Sequence, residues 1–395
     1  MCFVSFVFKM SLLKRNSLYL LLSRLTAQGL AILFIALLAR RLGVDDFGQF
    51  TFIAAVVLIG NTVTNFGTDT YLIRELARTK QIVPLVPQVL ALQLVLSALW
   101  VVFTLLLAPN SPILLYSLSL FPLAFFSIST ASLRAFERMD RVWTLSLING
   151  LIQLIAAWLS PDLWTLCLFL LVGQLLVAAF SHWICSATLP SFSLLLLVDP
   201  RHLFKLTLPF AALTILLVLA QRIGVLTVSS LLGDESTGIF SSVTRVVDGL
   251  KLGHYAVLGA LLPVISRGTV ESKQSFRNGF VLLMGLSLLM AFTLLLLPRP
   301  LILILYGRSF TAAIPLLSLL GWSLIPYTVS SFISYDLIAR GREKPLVKAT
   351  AISLVTILVL YIWLVLIYGL NGAVYAALVG EIIQAMIFVI ANTMN

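Results

Sequence analysis

Charge is what this 395-residue sequence has least of: Asp, Glu, Lys and Arg together make 10% of it, against about 25% in a soluble globular domain. So few charges cannot cover a water-facing surface, which excludes a soluble globular or a disordered chain. Cysteine is as scarce. Cys2, Cys167 and Cys185 have no ligand spacing and two of them lie in apolar runs, so they read as reduced, structural thiols. No His/Cys cluster has the spacing of a metal site. No Gly-x-x-x-x-Gly-Lys-Ser/Thr stretch occurs, which excludes nucleotide hydrolysis by a P-loop. The N-terminal stretch Met1 to Lys9 is apolar, but it lacks a charged start and a small-residue cleavage site, so it does not read as a signal peptide. Met10 is an alternative start. Long polar loops are missing too, which leaves little room for an outer catalytic loop. The expectation is a chain that is not an enzyme and takes no cofactor.

Apolar residues are abundant instead, at 60% with a mean hydropathy of +1.08. A spanning helix takes about 20 mostly apolar residues. Segments 17–39, 50–72, 83–107, 113–133, 143–160 and 164–186 qualify, followed by 206–231, 240–265, 279–298, 312–335, 348–368 and 372–391. The expected fold class is an all-α polytopic membrane protein with about 12 transmembrane helices. In such a chain the net charge of +11 reflects basic cytoplasmic loops that orient the helices and meet anionic lipid, not a nucleic-acid partner. With the N-terminus inside, 18 Lys and Arg fall on the inner side; only Arg40, Arg41, Arg299 and Arg308 fall outside. That asymmetry puts both termini in the cytoplasm.

The sequence also repeats itself. Leu42-Gly43-Val44-Asp45-Asp46-Phe47-Gly48-Gln49-Phe50 returns as Leu232-Gly233-Asp234-Glu235-Ser236-Thr237-Gly238-Ile239-Phe240. Leu, both glycines, an acid and the terminal Phe keep their places. Leu133, Ala135 and Arg138 match Leu337, Ala339 and Arg342, and Leu171-Val172-Gly173-Gln174 matches Leu378-Val379-Gly380-Glu381. Three landmarks in one order read as a duplication. An even number of helices per copy orients both halves alike, hence two six-helix lobes related by a pseudo-two-fold along the membrane normal. The expected division is a cytoplasmic tail 1–16, an N-lobe 17–190, a cytoplasmic linker 191–205, a C-lobe 206–391 and a tail 392–395.

Several of these stretches carry a family resemblance. They are Ala39-Arg40-Arg41-Leu42-Gly43 through Phe50, Asn65-Phe66-Gly67-Thr68-Asp69 and Leu72-Ile73-Arg74-Glu75-Leu76-Ala77-Arg78. In the second half they are Leu232-Gly233 to Phe240, Tyr306-Gly307, Ala339-Arg340-Gly341-Arg342 and Tyr368-Gly369-Leu370-Asn371-Gly372-Ala373. Over about 17–391 the chain resembles the polysaccharide-export flippases of the multidrug/oligosaccharidyl-lipid/polysaccharide (MOP) superfamily, the Wzx-type O-antigen translocases and their relatives. The resemblance implies alternating access by two lobes in a bacterial-type inner membrane. The cargo it implies is an undecaprenyl-pyrophosphate-linked oligosaccharide, moved from the inner to the outer leaflet for lipopolysaccharide or other surface polysaccharide biosynthesis. Membrane lipids and the glycan polymerase and glycosyltransferases of the same pathway are the partners it implies. The alternative within the same superfamily is an ion-coupled multidrug (MATE-like) exporter.

Charges inside the spans are where chemistry is expected, because a central Arg or Lys costs about 2.5–3.5 kcal/mol on insertion scales and so faces protein or a wet cavity. Arg24, Arg222, Arg245 and Lys251 qualify and are the candidate substrate-binding cations, since a guanidinium fork matches phosphate oxygens. The bland readings are snorkelling for Arg24 and an Arg245–Asp248 pair within one helix, for which Lys251 competes. Two cations against that one acid predict a net positive patch. Asp69, Asp248 and Glu381 are the candidate ion-coupling acids. Capping or loop pairing is the simpler reading for Asp69 and Asp336, helix–helix packing for Glu381, and a packed role for His254. Gly249 and Gly253 have small-xxx-small spacing, which predicts close helix contact.

Overall fold

The computed structural model describes residues 12–80, 82, 85–108, 111–189, 201–265 and 270–393. Cys2, the Met1/Met10 start, residues 1–11 of the N-terminal tail, 191–200 of the linker, Arg267 and the last two residues lie outside them. The described residues are helical almost throughout and contain no strand. That is what lipid demands of a spanning chain, because a helix satisfies every backbone N–H and C=O within itself.

The helices are α1 (Leu12–Asn65), α2 (Thr68–Thr79), α3 (Leu85–Leu107), α4 (Pro112–Ser117), α5 (Leu120–Ala135), α6 (Met139–Leu159) and α7 (Leu163–Thr188). Then come α8 (Arg201–Ile265), α9 (Val270–Leu296), α10 (Pro298–Leu305), α11 (Ala313–Leu320), α12 (Leu324–Ala339) and α13 (Glu343–Thr393). Among the described residues, nine stretches are long and apolar enough to cross a membrane. Three of them are pairs of spans joined through a single kinked glycine, at Gly43 in α1, Gly233 in α8 and Gly369 in α13. Divided there, they make the twelve spans that hydropathy predicts. Leu106, Leu296, Ile304 and Leu366 are each more than two-thirds exposed, as side chains facing lipid would be.

The repeat is visible in backbone angles. Gly43 has φ 80°, ψ −173° and Gly233 has φ 81°, ψ −172°, a region open essentially to glycine alone. The second pair of landmarks is a pair of identical turns. Arg138 N–H donates to the Leu133 carbonyl at 2.9 Å, and Arg342 N–H to the Leu337 carbonyl at 2.8 Å. This is the six-to-one bond of a Schellman motif, closing α5 and α12, which are 16 residues each. The left-handed position is Gly341 (φ 70°) in one turn and Glu137 (φ 58°) in the other. At the third pair, Gly173 lies against Ile152 and Gly380 against Ile357.

The chain forms two compact units. One holds residues up to 41 together with 56–218, and the other holds 42–55 together with 219–395. In the first, Leu72, Leu76, Val86, Leu90, Ile128, Leu133, Leu145 and Leu203 share one buried cluster. The start of α8 belongs to this unit, with Phe204 stacked on Phe66 at 4.5 Å. In the second, residues 42–55 pack through the repeated turn. A methyl group on Gly48 would stand 1.9 Å from the Asp234 carbonyl oxygen, and one on Gly238 would stand 2.2 Å from that of Val44. The two crossings are copies of one another within the repeat, and only a hydrogen fits at either. Phe47, fully buried, lies edge-on to Phe310 at 5.5 Å and near Tyr306 at 6.1 Å. Gly249 and Gly253 depart from expectation: no described atom comes within 4 Å of a methyl placed on either. Small residues at that spacing permit a close crossing but do not impose one.

Candidate functional site

In the first unit, polar side chains gather where α1 passes into α2. Phe66 and Gly67 both take positive φ there, which turns the chain and sets Asn65, Thr68 and Asp69 side by side. Asn65 Nδ2 donates to Ser127 Oγ at 2.9 Å, and Ser127 Oγ donates to Asp69 Oδ1 at 2.5 Å. Gln93 Nε2 donates to Thr68 Oγ1 at 2.7 Å. Asp69 thus ties α2 to α5, a contact between helices where the simpler reading expects capping or loop pairing. Arg24 is exposed. Its neighbours in sequence hold α1 to α6, through Ser23–Ser146 at 2.8 Å and Trp143 Nε1 donating to Thr26 Oγ1 at 2.9 Å.

The second unit brings three of the sequence candidates together. Lys251 Nζ, on α8, donates to Glu381 Oε1, on α13, at 2.8 Å and stands 3.7 Å from Asp248 Oδ1. Its ammonium lies 4.6 Å from the centroid of the Tyr327 ring on α12, a cation–π arrangement. Glu381 uses one oxygen only. Oε2 is buried and accepts no hydrogen bond from any described residue. Tyr361 is buried, interacts electrostatically with both Glu381 and Asp248, and lies against Gly224. Arg245 interacts electrostatically with Tyr306; burial pushes that phenol up to about 12, and the guanidinium opposes the rise. The count of two cations against one acid omitted a second acid beside Lys251. Glu381 enters from another helix, so that Lys251 stands between two carboxylates. Periodicity along α8 pairs Lys251 with Asp248; nothing in it foretells a partner 130 residues away.

One turn beyond Lys251, His254 is fully buried and takes the packed role expected of it. Its Nε2 lies 2.8 Å from Ser287 Oγ and 2.9 Å from Thr328 Oγ1, which are 2.6 Å from each other. The three side chains knot α8, α9 and α12. Asp336 is bound by Arg340 through two bonds, at 2.9 Å and 2.8 Å, one helical turn away. This is a local pair, as expected.

Arg222 stands apart from Arg24, Arg245 and Lys251. It lies within a span of α8, is half-buried, and makes no hydrogen bond or ion pair with any described residue; its Nε is buried without a partner. A guanidinium cannot shed its proton to escape that environment. It needs an anion or water.

Comparison with known proteins places the chain. The profile of the family described as "Polysaccharide biosynthesis protein" matches residues 13–269. The chain belongs to this family. No curated protein matches it in sequence. Among solved structures it is similar to the lipid II flippase MurJ in an inward closed conformation, with a TM-score of 0.75 at 16% identity, over 94% of this chain and 87% of that one. It is similar to an inward-facing multidrug resistance MATE family transporter, with a TM-score of 0.74 at 15% identity, over 93% and 94% of the two chains. A MOP superfamily transporter from Pyrococcus furiosus, whose binding pocket is described as of reverse polarity, matches with a TM-score of 0.60 at 17% identity, over 97% and 92%. These likenesses establish the fold: an all-helical, multi-pass membrane protein built as MOP-superfamily transporters are.

Proposed function

We propose that the chain is a flippase for an anionic, lipid-linked oligosaccharide of the undecaprenyl-pyrophosphate kind, carried from the inner to the outer leaflet by alternating access. The observation that carries this reading is Arg222, a permanent cation in a span with no counter-ion among the described residues. A diphosphate supplies what that guanidinium lacks, because its oxygens accept two parallel N–H bonds. Arg24 and Arg245 are further candidates for headgroup contact along its path. Family membership supports a glycan cargo. Export of a cationic drug fits less well. It calls for acids open to the cargo, whereas Glu381 is largely buried and bound by Lys251, and exposed Asp248 stands 3.7 Å from the same ammonium.

The test is Arg222→Ala, with lipid-linked headgroup accessibility in the outer leaflet measured at matched protein level. A hydrogen bond to a charged group contributes about 1.5–3 kcal/mol, so transport should fall about tenfold to a hundredfold, with Arg222→Lys retaining part of it. Undiminished export by Arg222→Ala would remove the assigned role.

A further inference from the structure

Near the end of α12 that leads into the basic turn at Arg340, helices α9, α12 and α13 leave a cavity of about 310 Å³. Phe276, Phe280 and Phe332 wall it, and the first two each meet the Phe332 ring edge-on at 5.2 Å. Two polar side chains share that lining, Asp336 and Asn392. Asn392 Oδ1 is buried and accepts no hydrogen bond from any described residue. Asp336 is 5% exposed. Arg340 reaches both of its oxygens, at 2.9 Å and 2.8 Å. A carboxylate has about four acceptor positions, so it keeps room for a further donor.

A second cavity, of about 430 Å³, opens between α12 and the latter part of α13. Pro326, Ile382, Met386 and Val389 help to line it, and no polar side chain does. Val329 lines both cavities, so an apolar groove leads away from the polar end. From Pro326 to Asp336 the rise along α12 is about 15 Å. That is half of the roughly 30 Å of hydrocarbon in a bilayer, the depth of one leaflet. Met386 and Val389 are exposed, which leaves the groove open on its lipid side.

We infer that this is a binding site for one aminophospholipid, with an acyl chain in the groove and an ethanolamine headgroup at Asp336, Asn392 and Arg340. Depth selects a chain from a single leaflet, the inner one by the bias of the basic residues. Charge selects the headgroup. A carboxylate and a guanidinium 2.8 Å apart form a small zwitterion, and the ammonium and phosphate of the lipid form its complement. The ammonium brings three N–H donors, which Asn392 Oδ1 and the open side of Asp336 accept. A buried acceptor without a donor is costly, and this headgroup removes that cost. The trimethylammonium of a choline lipid has no N–H to give, and a glycerol headgroup has no cation to set against Asp336. Arg222 takes no part, so the site stands or falls independently of the cargo.

The test is native mass spectrometry of the purified full-length protein. It measures Kd for phosphatidylethanolamine, phosphatidylcholine and phosphatidylglycerol carrying the same palmitoyl and oleoyl chains. The wild type should take one phosphatidylethanolamine about tenfold more tightly than either of the others, the worth of a hydrogen bond from a charged donor. Asn392→Leu should lose most of that preference and bind phosphatidylcholine as the wild type does. Asp336→Asn should weaken both lipids that carry a cation and leave phosphatidylglycerol no weaker. Val329→Phe should weaken all three by narrowing the groove where the cavities meet. Thermal unfolding checks that each variant is folded; should Asp336→Asn fail to fold, Asn392→Leu decides alone. Equal binding of the three lipids by the wild type overturns the site. So does a preference for phosphatidylethanolamine that survives Asn392→Leu undiminished.

Discussion

Three charged side chains behave differently because each has a different escape from a low-dielectric setting. Arg222 has none, since its guanidinium stays charged and no described residue gives its buried Nε a partner. Lys251 finds two acids. Asp234, in the turn that joins the two spans of α8, is crowded by its own sign: partial burial, and then the carboxylates of Asp45 and Asp46, push its carboxyl above the ordinary value of 3.8. The sign of the consequence follows. The folded turn favours the protonated form, so its ionised form weighs against folding above the raised value, and that burden fades as pH falls through it toward 3.8. Asp234→Asn should therefore raise the unfolding temperature of the purified protein at pH 7 and lose most of that gain near pH 4. A gain that is the same at both would show that repulsion is not its source.

Helix ends were the best-announced elements of this fold. Leu133, Ala135 and Arg138 resemble Leu337, Ala339 and Arg342 in sequence because they build the same turn, down to one hydrogen bond between equivalent atoms. The glycines at 43 and 233 likewise announce bends. What stayed hidden is how spans find one another. Apolar faces look alike from every direction, so neither the Lys251–Glu381 contact nor the Asn65–Ser127–Asp69 chain can be read from spacing. Both join residues far apart whose mates are chosen by packing. The local pair of Lys251 with Asp248 was legible because three-residue spacing on a helix puts side chains together. The paired turns also differ usefully. Glu137 holds the left-handed conformation that Gly341 adopts freely, at a strain of about 1–2 kcal/mol. Glu137→Gly should stabilise the protein by less than about 1 kcal/mol, since glycine also loosens the unfolded chain, and Gly341→Glu should destabilise it. Thermal unfolding in matched detergent would check both directions.

At the scale of the molecule, composition announces twelve spans, and the nine long apolar stretches among the described residues divide at three glycines into that number. Composition could not announce that the compact units trade pieces, with 42–55 grouped among the second and 201–218 among the first. The trade depends on backbones close enough to exclude a methyl group. Gly48→Ala must push Asp234 or its own helix aside, and overpacking of this kind costs about 1–3 kcal/mol. Because the crossing is duplicated, Gly238→Ala should have a matching effect. The double variant should fall short of the sum, since one displacement relieves both clashes. Unfolding midpoints of the two single variants and the double variant would settle it, and strict additivity would count against a shared crossing.

That crossing also sets a timetable for the chain's birth. Residues 42–55 enter the membrane early, yet the surface that receives Gly48 includes Asp234 and Gly238. At about 5–20 residues per second, they wait roughly ten to forty seconds beside a ribosome that has not yet made their partner. The second unit cannot be completed by its own later sequence alone. It must recover a piece of the chain's beginning.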